Sequence, residues 1–293
     1  MKKLLFIATI VIFMIALTAC GNKTNKDFND FDNKLSDVKQ KQKNVEEVID
    51  KIHLKELDNL SKTDTTDKNK KEFIALQKDI NNYLMPEFKK YKKAANRLPA
   101  DTNDVKNLRN SYLDTVKEKE NSINDLKSFV DLCNRSIKDN EDILDYTKLF
   151  EKNRSEVESD INKATNKNDA DQLTSKLEEN NKQLKSTAKK YLNSSTTNSD
   201  SAKKAINNHI SPLIDKQIKD INISDQHVDN ARKNAIEMYY SLQNYYDTRV
   251  DTIEISEKLS KIDVDKLPKE GKDISSKDKE FNKQYYEFKE NVK

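Results

Sequence analysis

The sequence predicts an all-α fold, an elongated antiparallel helical bundle with coiled-coil-like packing, and three observations predict it. Across 293 residues there are two Gly, four Pro and no Trp, too few turn formers for stacked hairpins or for the hinges and glycine-built loops of α/β binding proteins. Charged residues reach 36 % and hydrophobic ones 34 %, a balance that suits a disordered chain unless the apolar residues keep helical register. They keep it. Phe28, Phe31, Leu35, Val38, Gln42, Val45, Ile49 and Ile52 alternate at spacings of three and four, which is a heptad seam. Each buried side chain of such a seam contributes roughly 1.5–3 kcal/mol. That offsets the entropy of ordering only when a partner helix covers the stripe.

The first element precedes that seam. Lys2 and Lys3 form a basic start, and Leu4 to Leu17 form an apolar run of fourteen residues, short of the ~20 needed to span a bilayer. Residues 1–19 therefore read as a cleavable signal peptide. The string Leu17-Thr18-Ala19-Cys20 resembles the bacterial lipobox, in which the cysteine thiol accepts a diacylglycerol and becomes the first mature residue. A buried acyl methylene contributes about 0.8 kcal/mol and one chain binds only marginally, so the two chains of a diacylglycerol are what make a stable anchor. Residues 20–26 are a lipidated polar tether.

Residues 27–192 read as a long helical bundle. After the first seam, Ser61 to Lys70 is a connection, and Phe73, Ile80, Leu84, Phe88, Tyr91, Ala95 and Leu98 line one side of a segment from about Lys71 to Arg97. Pro86 falls inside it and predicts a kink or break near Met85, because proline removes a backbone bond and clashes with the preceding turn. Leu98-Pro99-Ala100-Asp101 is a turn, with Asp101 or Thr102 placed to cap the next helix. That helix holds its rhythm through Val105, Leu108, Tyr112, Val116, Ile123, Leu126, Val130, Cys133, Ile137, Leu144 and Thr147 to about Phe150, with Val157, Ile161 and Ala164 extending it. Leu173, Leu177, Leu184, Ala188 and Tyr191 mark a further helix. The polar residues 193–200 read as a linker, and 201–293 as a continuation of the bundle. In that continuation Pro212 interrupts a short helix, and Ser224-Asp225 starts a helix to about Leu259. Leu267 to Gly271 turn the chain, and Phe281, Tyr285 and Phe288 mark an aromatic C-terminal helix.

Composition and motifs exclude several chemistries. The chain carries 54 Lys+Arg against 51 Asp+Glu; loss of Lys2 and Lys3 with the signal leaves near neutrality, which argues against nucleic acid as a partner. Cys20 is used by lipidation, so Cys133 has no intrachain partner and, in register with Leu126, Val130 and Ile137, reads as core filler. His53, His209 and His227 stand apart with no metal-ligand spacing around them, so no metal and no cofactor is expected. Pairs such as Glu46-Glu47 and Glu178-Glu179 read as solvated helix faces. No nucleophile motif or phosphate loop is present, and no catalytic residue is assigned.

One string remains. Glu237-Met238-Tyr239-Tyr240 is followed by Tyr245 and Tyr246, and on a helix Tyr239 and Tyr246 share a face while Tyr240 points elsewhere. The rings serve either to stack on glycan or a partner, or as amphipathic packing with wet hydroxyls. With the lipobox at Leu17 to Cys20 and an Asn/Lys-rich helical body, this tetrapeptide resembles the EMYY-motif lipoproteins of Gram-positive bacteria. The helical layout and the Leu98 to Leu108 region are distantly similar to YkyA-type lipoproteins, which are labelled cell-wall-binding. The resemblance implies no catalytic residue. The expectation is a non-enzymatic lipoprotein on the outer face of the cytoplasmic membrane, its diacylglycerol supplying palmitate-type chains at Cys20. Tyr239, Tyr240, Tyr245 and Tyr246 are its candidate contacts for peptidoglycan or an envelope protein. The competing expectation is a wall hydrolase or accessory enzyme whose acid and base hide among the carboxylates.

Overall fold

The computed structural model describes residues 2–52, 54–57, 67–192, 198–216, 221–263, 267 and 273–292, with side chains from Lys23 onward except 55, 56, 215 and 216. The Cys20 thiol, the signal side chains, His53, residues 193–197 and the turn after Leu267 lie outside the described residues. In order the helices are α1 (Lys2–Lys51), α2 (Leu54–Leu57), α3 (Asp67–Asp79), α4 (Met85–Ala95), α5 (Asn103–Asn162), α6 (Lys167–Leu192), α7 (Ser199–Ala205), α8 (Ser211–Lys216), α9 (Gln226–Leu259) and α10 (Lys279–Val292). Among the described residues there is no strand, and no helix is long and apolar enough to cross a membrane. The fold is all-α, as the sequence predicts.

The chain forms two compact units, one of Met1–Asp131 with Ile262–Lys293 and one of Leu132–Lys261. The first unit thus takes in the C-terminal segment. The reason is aromatic: α10 runs back along α1 and closes the first unit. Phe28 lies 5.1 Å from Phe288 and 5.9 Å from Tyr285, and Phe281 lies 4.7 Å from Tyr112 on α5, centroid to centroid.

In the first unit the α1 seam faces inward as its spacing requires, and its seven apolar members are all buried. Gln42, the polar member, meets a lysine. Lys119 of α5 is wholly buried, and its ammonium donates to Asp278 Oδ1 (2.6 Å), Gln42 Oε1 (2.8 Å) and the Tyr91 hydroxyl (3.2 Å). Gln42 Nε2 donates to Asp278 Oδ2 (2.7 Å) and Glu46 Oε1 (3.0 Å), and Thr115 Oγ1 donates to Asp278 Oδ1 (3.2 Å). Tyr91 and Tyr112 share a hydrogen bond of 3.2 Å, and the Lys119 ammonium lies 5.4 and 5.8 Å from their ring centroids. The network joins α1, α4, α5 and the 3₁₀ turn Ile274–Asp278. Burial pushes the Lys119 pKa below its usual value, against the pull of Asp278, and burial drives both tyrosine hydroxyls well above theirs.

Pro86 breaks nothing. The five residues Ile80–Leu84 form a π turn in which the Met85 N–H donates to the Ile80 carbonyl, and this widened turn provides the room that the proline ring would otherwise take from its neighbours. The same device recurs before Pro212, where Ile206–Ile210 is π-helical and the Ser211 N–H donates to the Ile206 carbonyl. The two strings align: Ile80-Asn81-Asn82-Tyr83-Leu84-Met85-Pro86 and Ile206-Asn207-Asn208-His209-Ile210-Ser211-Pro212.

The likeness extends to the helix that follows each. Asp27 of α1 accepts from the N–H groups of Asp101 and Thr102, and Asp169 of α6 accepts from those of Ser224 and Asp225. An aspartate of α1 or α6 thus clasps the turn before α5 or α9. For α5 the clasp replaces the local cap that Asp101 or Thr102 was predicted to supply. Val105, Asn107 and Arg109 then correspond to Val228, Asn230 and Arg232. Both arginines donate back to the preceding turn, Arg109 to the Asn96 carbonyl (3.2 Å) and Arg232 to the Ile221 carbonyl (3.1 Å). The second unit repeats the plan of the first.

Asp225 serves two turns at once. Its Oδ2 accepts from the Thr165 hydroxyl and N–H (2.7 Å each) and the Asn166 N–H (2.9 Å), and its Oδ1 accepts from the His227 and Val228 N–H groups (2.8 and 3.2 Å). The Thr165 hydroxyl and these N–H groups hold its carboxyl well below the usual aspartate value of 3.8. Asp169 is held below 3.8 by the Asp225 and Ser224 N–H groups. Since the folded pKa is the lower one, the stabilisation is present above 3.8 and is lost as pH falls through the folded value. We expect Asp225→Asn to lower the melting temperature at pH 6, with the gap from wild type closing as pH drops below about 3. A gap that is constant with pH would refute the assignment.

Candidate functional site

The clasp at Asp225 sets the phase of α9 and so decides where each ring of its tyrosine string points. α9 runs beside the distal part of α5, where Asn234 Nδ2 donates to Asp160 Oδ2 (3.2 Å), and it packs on α6, α7 and α8. Val228, Ala231, Ala235 and Met238 are buried at helical spacing, with small residues where neighbouring backbones come close.

That phase sends Tyr239 inward. It is 1 % exposed, its hydroxyl donates to Asn181 Oδ1 of α6 (2.9 Å), and burial pushes its pKa up to about 12. Its ring is part of the core. Tyr240, one residue on, is 44 % exposed. Tyr246, sharing the face of Tyr239, is half-buried against the same core, and Tyr245 is half-buried with its ring 5.5 Å from that of Tyr246, edge to face. The four candidate tyrosines thus separate into one core ring, one outward ring and a contacting pair.

Tyr245 also lines a groove whose other wall is α5. Tyr146, Thr147 and Phe150 face Ser241, Leu242 and Tyr245 across about 240 Å³. The Thr147 and Ser241 hydroxyls donate to the carbonyls of Ile143 (2.8 Å) and Glu237 (2.9 Å), so toward the groove they can only accept. The volume falls below the ~300–1,000 Å³ of pockets that engulf a small molecule; it suits the edge of an extended polymer or a protruding side chain. Leu144 and Leu149 of α5 are 60 % and 42 % exposed.

This placement differs from the predicted seam, in which Leu144 and Thr147 face inward. A strict heptad drifts about 20° per repeat on a straight α-helix, and by Leu144 the drift has carried the seam round to solvent. Tyr146 and Phe150 take the inward side instead. Nearby carboxylates are perturbed: burial, then Asp251, raises the pKa of both Asp139 and Asp247. Cys133 is half-buried, and burial lifts its thiol to about 12, an unreactive state at neutral pH. His209 stacks on Tyr191 at 4.1 Å, His227 is exposed, and among the described residues no cluster of His, Cys, Asp or Glu could hold a metal ion.

The family model for EMYY-motif containing lipoproteins matches residues 1–289. The chain belongs to that family. No curated protein and no solved structure matches it. Membership supports a membrane-anchored surface lipoprotein. In this EMYY-motif lipoprotein the tetrapeptide turns Met238 and Tyr239 into the core and leaves Glu237 and Tyr240 in solvent, so half of the family string is packing and half is surface. Of the four candidate tyrosines, Tyr245 lines the groove, beside Ser241 and Leu242. Tyr146 and Phe150 complete it from about ninety residues away in the chain, across a helix pairing that no local string encodes.

Proposed function

We propose that the chain is a non-enzymatic lipoprotein held on the outer face of a Gram-positive cytoplasmic membrane by a diacylglycerol on Cys20. Its α5–α9 groove binds the edge of a wall polymer or an envelope protein. The observation that carries the binding reading is the groove itself: the rings of Tyr146, Phe150 and Tyr245 line it together from two helices. Tyrosine rings with wet hydroxyls suit the mixed apolar and hydroxyl faces of a glycan. Membership of a lipoprotein family supports a place at the membrane surface, next to the wall.

Co-sedimentation with purified peptidoglycan tests it. The wild-type chain should pellet, and Tyr146→Ala with Tyr245→Ala should lower the bound fraction about tenfold, the loss of one or two ring contacts of ~0.5–1.5 kcal/mol each. Tyr240→Ala serves as a surface control outside the groove. An intact chain that stays in the supernatant removes the wall component. Cys20→Ala should also move the protein out of the lipidated membrane fraction, and unchanged retention would remove the anchor.

The perturbed Asp139 and Asp247 favour a second reading, a wall hydrolase in which one of these carboxyls, its pKa raised by burial and by Asp251, serves as the general acid. A cleared zymogram band that disappears in Asp247→Asn would establish it. A blank lane leaves the binding reading in place.

A further inference from the structure

The near neutrality of the whole chain conceals one strongly basic helix. Between Met85 and Arg97 stand Lys89, Lys90, Lys92, Lys93 and Arg97 against Glu87 alone. The inner side of α4 buries Phe88, Tyr91 and Ala95, and α4 packs on α1, so the cations occupy the remaining faces. Two are neutralised locally, Lys90 by Glu87 at 2.5 Å and Lys92 by Glu120 of α5 at 2.6 Å. Lys89, Lys93 and Arg97 are exposed, and no carboxylate among the described residues pairs with them.

These cations rim an open groove of about 840 Å³ along α4, whose lining includes Met85, Pro86 and Phe88. An apolar floor beneath unpaired cations is complementary to a phosphate that carries hydrocarbon, because a polyol or sugar phosphate would leave the floor wet. Position points the same way. The Arg97 end of α4 leads into the turn that Asp27 clasps, and Asp27 stands seven residues after Cys20, at most about 25 Å of extended chain. With Cys20 acylated, that end of the unit is within reach of lipid headgroups.

We propose that the α4 groove docks on anionic phospholipid of the membrane to which the chain is anchored. Phosphates sit against Lys89, Lys93 and Arg97, and the glyceryl and upper acyl atoms lie over Met85 and Pro86. The docking rests on the Cys20 anchor proposed above and adds a second contact to it, whose attraction falls off within a Debye length and is therefore sensitive to salt.

Lysine footprinting of the full lipidated chain in vesicles tests this. Acetylation of Lys89 and Lys93 should be about tenfold slower in phosphatidylglycerol vesicles than in phosphatidylcholine vesicles, and high salt should restore it. Arg97→Glu should speed labelling in phosphatidylglycerol by at least about fivefold, the value of one cation near a charged surface. Equal labelling of the lipidated chain in both lipids overturns the docking while leaving the anchor intact; a chain recovered without acyl groups removes both. Protection by soluble glycerol-phosphate polymer over phosphatidylcholine would assign the groove to a wall polyanion and overturn the lipid assignment. So would a uniform slowing of every lysine, which is non-specific adsorption.

Discussion

Lys119→Ala is expected to destabilise the first unit by about 3–5 kcal/mol, the cost of stranding one partner of a buried ion pair. That is a large share of the ~5–15 kcal/mol that holds a typical domain folded. The ammonium is fully buried and is the donor on which Asp278, Gln42 and Tyr91 converge. Its removal leaves the Asp278 carboxylate in the interior with only the Gln42 and Thr115 donors. Urea unfolding of wild type and variant gives the difference directly. Replacing the set together, with Lys119→Met, Asp278→Leu and Gln42→Leu, should recover most of the loss, because a packed apolar group carries no desolvation cost. A pH series adds a check with a definite sign. The folded pKa of Lys119 is lowered, so between that value and 10.5 the unfolded chain binds more protons and stability rises with pH. The rise should be absent in Lys119→Met when read below pH 10, before Tyr91 and Tyr112 contribute. A loss under about 1 kcal/mol for Lys119→Ala would mean that the ammonium is hydrated and the network is not a core element.

The apolar half of this core was legible in the sequence and the ionic half was not, for a physical reason. Spacing identifies which face of α1 is buried, and every apolar seam residue from Phe28 to Ile52 is there. A lysine normally reads as solvated, yet Lys119 falls in the three-four rhythm between Val116 and Ile123, as Gln42 falls between Val38 and Val45. Two polar residues on two seams signal a buried pair, but only tertiary pairing joins them. The paired Ile-Asn-Asn strings before Pro86 and Pro212 were equally readable. Taken one at a time, each proline predicts an interruption; taken together, the strings mark a repeated π turn that lets the helix continue. At the candidate site, periodicity separates Tyr239 from Tyr240, whereas the Tyr146 and Phe150 wall depends on the slow drift of α5 relative to a strict heptad.

Phe281→Ala is the second large expectation, about 3–5 kcal/mol for emptying a ring-sized site in a packed core. Phe281 is fully buried, its ring 4.7 Å from Tyr112 and 5.9 Å from Tyr285, and it stands one turn beyond Asp278 on the segment that closes the first unit. Tyr286, 60 % exposed on the same helix, should change stability by no more than ~0.5 kcal/mol when cut to alanine. The informative measurement is the double variant. Asp278 and Phe281 hold one short segment, and Tyr112 borders both Lys119 and Phe281, so once either contact is lost the segment has less left to lose. The costs of Lys119→Ala and Phe281→Ala should therefore fall short of additivity by about 0.5–3 kcal/mol. Additive costs would mean that the ion pair and the aromatic contacts stabilise α10 independently. They would also contradict a C-terminal segment that docks as one cooperative piece.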